Sequence, residues 1–124
     1  MTIKPYNELI ALSMPAIHKI HQLRFLRSPC EQVEEILSKE SLDVINTLCV
    51  IMIIGRQHSY NGRKKPFKQP DKVFKGWAAD LWEFGEDKRK GLIDYVSGKN
   101  DVLKHLNHGE KLLGISLNGG VYIG

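Results

Sequence analysis

The sequence predicts an all-α fold: one compact domain of five or six helices, ending in a short C-terminal hairpin or a disordered tail. Three observations carry that prediction. Apolar residues recur at helical spacing in successive segments, and Ser, Asp, Asn and Pro stand where helix starts are needed. The third is composition: 42% hydrophobic and 26% charged residues in 124 positions suit a single globular domain spanning residues 1–124.

Ser13, Met14 and Pro15 read as an N-cap followed by proline in the first turn, where its missing N–H costs nothing. Ile17, Ile20, Leu23 and Leu26 follow at three-residue intervals, so a helix is expected over residues 14–27. Ser28, Pro29 and Glu31 repeat the signal with the spacing of a capping box, and Val33, Ile36 and Leu37 form the buried stripe of a short second helix. Ser41 opens the most hydrophobic element, residues 42–54. Its length is about twice that of a typical strand, and Leu42, Ile45, Leu48 and Met52 keep helical period, so it reads as a central helix. Gly55 would close that helix or mark a close approach of two backbones.

From Gln57 to Gln69 no apolar period survives, and Asn61-Gly62, Pro66 and Pro70 punctuate a polar stretch that reads as a loop. Asp71 is placed to cap the next helix, in which Phe74, Trp77, Ala78, Leu81 and Trp82 share a face and Gly85 is the stop. Glu86 and Asp87 sit where a helix start favours negative charge, and Leu92, Ile93 and Val96 follow before Ser97-Gly98. Asn100 is expected to cap a last helix carrying Val102, Leu103 and Leu106 inward, with Gly109 beyond it. The tail from Ile115 to Ile123 alternates apolar and polar residues around Asn118-Gly119, a hairpin turn signal with short arms.

The net charge of +4 is unevenly divided. Residues 1–55 carry a net −1 and residues 76–124 another −1, whereas 56–75 carry +6 from Arg56, Arg63, Lys64, Lys65, Lys68, Lys72 and Lys75 against Asp71. The basic loop at 56–71 is therefore the first functional candidate. Lys and Arg beside Tyr60 and Phe67 could pair with phosphates while the rings stack on unpaired bases, or could meet an acidic protein surface. A solvated loop kept soluble by its lysines is the plain alternative.

Histidines are the second candidate. His18 and His21 share a helical face at i, i+3, and His105 and His108 repeat that spacing, so two facing pairs could hold a transition metal. No glutamate stands at metalloprotease spacing within either pair. Nucleophile-elbow, zinc-protease, phosphate-loop and dinucleotide motifs are all missing from the sequence, so no catalytic residue and no cofactor is assigned. Asp80, Glu83, Glu86 and Asp87 read as a solvated acidic face, and Trp77 and Trp82 as core or interface anchors. Cys30 and Cys49 read as free thiols. The run from Val44 to Ile54 is about half the length that spans a bilayer, and no secretory h-region opens the chain, so a cytoplasmic protein without a membrane segment is expected.

Several short segments are shared with a known pattern: Leu12-Ser13-Met14-Pro15, Ile54-Gly55-Arg56, Trp77, Asp94-Tyr95-Val96-Ser97-Gly98 and Val102-Leu103-Lys104-His105-Leu106. In their order they resemble domain-of-unknown-function family 3775, small helical bacterial proteins, over residues 12–113. The resemblance implies a helical fold and a bacterial or phage source, and it brings no catalytic residues. Where the family pattern has an acidic residue soon after Gly-Arg, this chain has Gln57-His58 and the basic loop. The sequence thus points to a non-enzymatic binding or regulatory protein that docks a protein partner through the loop. Nucleic-acid binding by the same Lys and Arg residues is the second reading, and a metal or enzyme site on the paired histidines the third.

Overall fold

The computed structural model describes residues 3–60, 62–63, 65–83, 85–98, 101–116 and 120–121. Among them are six α-helices, a single 3₁₀ turn and a two-stranded hairpin, which is the all-α domain the periodicity predicts.

Helix α1 (Tyr6–His21) departs from expectation at both ends. Ser13, Met14 and Pro15, read as a helix start, lie in its middle. The apolar period simply extends upstream, with Tyr6, Leu9, Ile10, Met14, Ile17 and Ile20 all buried. The Ser13 hydroxyl donates to the Leu9 carbonyl at 2.8 Å instead of capping a terminus, while Pro5 holds the N-cap position. Burial of a long stripe outweighs the cost of an internal proline that lacks its N–H. The helix stops at His21, six residues early, and tight turns at Leu23 and Arg24 carry the chain away, leaving Phe25 81% exposed.

Helix α2 (Cys30–Ser38) follows Pro29, with Val33 and Leu37 inward; no side chain caps it, so the capping box read at Ser28 and Glu31 is not formed. Helix α3 (Leu42–Tyr60) begins as expected, since the Val44 N–H donates to Ser41 Oγ at 3.3 Å. It then passes through Gly55 to Tyr60, so Gln57 and His58 are helical and the loop is shorter than the sequence suggests. Helix α4 (Pro70–Leu81) starts on Pro70, which puts Asp71 inside the first turn without a capping bond. A 3₁₀ turn over Glu86–Lys88 leads into α5 (Arg89–Ser97). Helix α6 (Val102–Leu113) runs through Gly109, where the sequence put its end, to a left-handed C-cap at Gly114 with φ 70°. Asn100, read as the α6 cap, lies outside the described residues, and Asp101 occupies the N-cap position.

Gly55 is a close approach of two backbones, one of the two readings its place allowed, and the glycine it meets is Gly109, which the sequence read as lying beyond the helix. A Cβ added to Gly55 would overlap the His105 carbonyl oxygen and lie 2.7 Å from the Gly109 amide nitrogen; one added to Gly109 would overlap the Ile51 carbonyl oxygen. Both residues are therefore points of backbone contact between α3 and α6. A missing side chain serves here to admit a neighbour, not to end a helix. Around α3 also pack α1, α4 and α5, and its residues from Val44 to Ile54 are buried except Ile53, which is half-buried.

Beyond α6, β1 (Ile115–Ser116) pairs antiparallel with β2 (Gly120–Val121), Ile115 opposite Val121. The Asn118-Gly119 turn itself lies outside the described residues. Buried Ile115 ties this short hairpin to the core. No helix among the described residues is long and apolar enough to cross a membrane.

Candidate functional site

The basic segment divides into a helical part and a loop. Gly62 turns the chain with φ 68°, and the Arg63 N–H donates to the His58 carbonyl at 3.2 Å, closing the end of α3. Arg63 Nε donates to the Lys65 carbonyl at 3.1 Å, and its guanidinium stands 4.5 Å over the Phe67 ring. Phe67 meets His58 edge to face at 5.1 Å, and its N–H donates to the Leu112 carbonyl at 2.8 Å. The loop is thus folded back onto the C-terminal turn of α6 through Phe67.

Its cations point the other way. Arg63, Lys65, Lys68 and Lys72 are exposed, and none of them forms an ion pair with a carboxylate among the described residues. Arg56 differs: it lies half-buried on α3, close enough to His105 to act on its charge. Lys64 and the Tyr60 side chain lie outside the described residues. Phe67 is half-buried, packed against His58 with Arg63 across its face, so it is not the open stacking platform that its place in a polar loop suggested.

The histidine pairs form no metal-holding group among the described residues. His18 is exposed, whereas His21 Nε2 lies 2.7 Å from Glu110 Oε2, a contact that joins α1 to α6. Glu110 is 2% exposed, and its Oε1 has no hydrogen-bond partner. No group of three or more His, Cys, Asp or Glu that could hold a metal ion exists among the described residues.

His58, His105 and His108 are instead linked electrostatically, with His108 acting on the charge of both others. Desolvation holds His58 below the ordinary histidine value, with Arg63 and His108 adding repulsion. His105 is lowered mainly by desolvation; Asp101 opposes the shift, and Arg56, Lys104 and His108 reinforce it. His105 Nδ1 and His108 Nε2 are buried without a hydrogen-bond partner. Sequence reasoning missed His58 because the link depends on the α3–α6 crossing. It missed Glu110 too, although that residue stands four after Leu106 on the apolar face of α6, and a carboxylate at a core position was a readable signal.

Elsewhere the polar groups serve the fold. The Trp82 indole N–H donates to Asp43 Oδ1 at 3.0 Å, while Trp77 is 36% exposed on α4. In the acidic group Asp80, Glu83, Glu86 and Asp87, all exposed, Glu86 is bound by Arg89 through two hydrogen bonds of 2.6 and 2.9 Å; that bond holds its carboxyl below the usual range. Arg89 also donates to the Glu40 carbonyl at 2.6 Å, fastening α5 to the end of α2. Both cysteines are free thiols, and burial pushes Cys49 up to about 12. Two clefts of about 370 and 410 Å³ flank Tyr6 between the starts of α1 and α4; they share Pro5, Tyr6 and Lys75 and place no histidine or cysteine beside a carboxylate. No protein family, curated protein or solved structure matches the chain.

Proposed function

We propose that this is a non-enzymatic binding or regulatory protein of the bacterial or phage-infected cytoplasm, which docks an acidic protein partner through its basic loop. One observation carries the reading: Arg63, Lys65 and Lys68, on a loop whose backbone is fastened to α6 at Phe67, and Lys72, in the first turn of α4, are exposed and form no ion pair among the described residues. Cations left without an intramolecular carboxylate keep their charge available to another molecule, and a fastened backbone reduces the ordering cost of binding.

Nucleic acid is the second reading, since the same cations would neutralise phosphates. The position of Phe67 favours protein, because a ring engaged by His58 and Arg63 offers little to an unpaired base. The two readings separate in an anisotropy titration of generic DNA and RNA at several salt concentrations. Phosphate neutralisation gives affinity falling by roughly one log unit per log of salt for each phosphate contacted. The protein reading expects no such binding at low salt. It also expects that changing Arg63, Lys65 and Lys68 together to Glu abolishes copurification of specific partners. Identical partners captured by both forms would overturn the role of the loop.

A further inference from the structure

The two clefts beside Tyr6 adjoin, and they differ in chemistry. One, of about 370 Å³, is bounded by Asn7 and Asp71, and the other, of about 410 Å³, by Ile3, Phe74 and Ala78; Tyr6 and Lys75 line both. Pockets of roughly 300–1,000 Å³ are the size that takes a small molecule.

Their walls are set by the fold. Pro5 and Pro70, at the starts of α1 and α4, fix the backbone on either side of the first cleft. The Tyr6 hydroxyl donates to the Leu113 carbonyl at 3.3 Å, and its ring meets Phe74 edge to face at 5.1 Å, with Trp82 behind Phe74 at 6.3 Å. A wall held in this way lowers the ordering cost of binding.

The charges in the lining have one open place of each sign. Asp71 and Lys75 stand at i, i+4 on α4, where side chains are neighbours; both are exposed, and neither forms an ion pair among the described residues. Lys4, at the apolar cleft, is answered by Asp43 at 3.6 Å, so Lys75 is the lining cation without a carboxylate on it. A ligand carrying only a carboxylate would meet Lys75 but be repelled by Asp71, and one carrying only an ammonium would meet the reverse.

We propose that the adjoining clefts bind a small zwitterion, an α-amino acid with an apolar side chain. Lys75 takes its carboxylate, Asp71 and the Asn7 amide oxygen take its ammonium, and its side chain enters the cleft walled by Ile3, Phe74 and Ala78. The site uses none of Arg63, Lys65 and Lys68 and is independent of which macromolecule meets the loop.

The test is a titration of leucine and of phenylalanine into the full chain near neutral pH, read on the backbone amide resonances. The expected result is saturable shifts centred on Tyr6, Asn7, Asp71 and Lys75, with a Kd of about 1 mM or below for ligands of this size. Glycine lacks the apolar group, 4-methylpentanoate the ammonium and 3-methylbutylamine the carboxylate; each should bind at least about tenfold more weakly than leucine. Lys75→Gln and Asp71→Asn, exposed changes whose folding circular dichroism checks, should each weaken leucine about tenfold, as expected for one lost charge-assisted hydrogen bond. Lys72→Gln, in the same turn of α4 and outside the lining, should leave affinity within a few fold. Changing Arg63, Lys65 and Lys68 together to Glu should do the same even where it removes a macromolecular partner, so failure of the loop reading and failure of this site are distinguishable. No saturation by leucine or phenylalanine up to about 10 mM would overturn the proposal. Equal binding of either one-charge analogue, or parent-like binding by a folded Lys75→Gln variant, would do so too.

Discussion

Replacing Gly55 by Ala tests the α3–α6 crossing most directly. On an isolated helix the change stabilises by roughly 0.8–1 kcal/mol, because alanine loses less backbone entropy. Here the new methyl would occupy the space of the His105 carbonyl oxygen and sit 2.7 Å from the Gly109 nitrogen, both backbone atoms that cannot swing aside. The helices must part by more than an ångström, and a radial gap of about 0.5–1 Å forfeits roughly a quarter to a half of each dispersion contact across the interface. Fully buried Leu48, Ile51, Met52 and Leu106 lie along it. An overpacking cost at the top of the usual range, about 3 kcal/mol, follows, leaving a net loss of about 2 kcal/mol after the propensity gain. Urea unfolding followed by circular dichroism measures it. Gly91→Ala in α5 is the control: nothing lies near its added methyl, so that variant should gain up to about 1 kcal/mol. If Gly55→Ala were as stable as the parent, the close crossing and the whole account of why α3 continues past Gly55 would be wrong.

Three further outcomes follow from named contacts. His21→Leu leaves the Glu110 carboxylate buried without its partner and should cost about 3–5 kcal/mol, whereas His21→Leu combined with Glu110→Leu should recover much of that loss in the same unfolding assay; equal losses would show the contact to be incidental. A thiol titration of the native protein near neutral pH should modify half-buried Cys30 well before Cys49, which reacts only on unfolding; prompt reaction of both would contradict the buried, raised thiol. The histidines set a pH dependence whose sign is fixed. Because His58 and His105 are lowered in the folded state, their contribution is present above the unfolded histidine value and is lost as pH falls through the folded one. Melting temperature should therefore decline below about pH 6.5, with a shallower decline in His58→Gln with His105→Gln.

Helical period and the number of helices were legible because they follow from local spacing: Ile45, Leu48 and Met52 are buried as their intervals require. What failed was punctuation. Ser13-Met14-Pro15 and Gly109 each carry a terminus signal and each stands inside a helix, as does Gly55, for which the close approach of backbones was the reading that held. Capping and propensity terms are worth about 1 kcal/mol apiece, so they lose to a long buried stripe in α1 and to a backbone crossing in α3 and α6. The true end of α6 is Gly114, whose left-handed φ does need glycine; sequence alone does not distinguish it from Gly109, five residues earlier. The basic residues were legible as a charge excess, while the electrostatic link among the histidines was not, because His58 is 47 and 50 positions from His105 and His108.

The position of the loop follows from a need of α6 more than from its own charges. A helix leaves its last carbonyls without intrahelical donors, and burying that end demands partners from elsewhere. Here the Leu112 carbonyl accepts the Phe67 N–H, and the Leu113 carbonyl accepts the Tyr6 hydroxyl at 3.3 Å. The Gly114 N–H turns back to the Lys111 carbonyl at 3.1 Å. The loop is thus part of the cap of α6, and its backbone is placed by satisfying that helix. Charge at its other positions is then free to vary without loss of fold, since Arg63, Lys65, Lys68 and Lys72 contribute no ion pair to the described structure. Surface cations that form no ion pair and yet crowd one fastened loop and the helix start beside it are a feature that folding does not require. That separation of anchoring backbone from unpaired charge is the physical reason to look for function there.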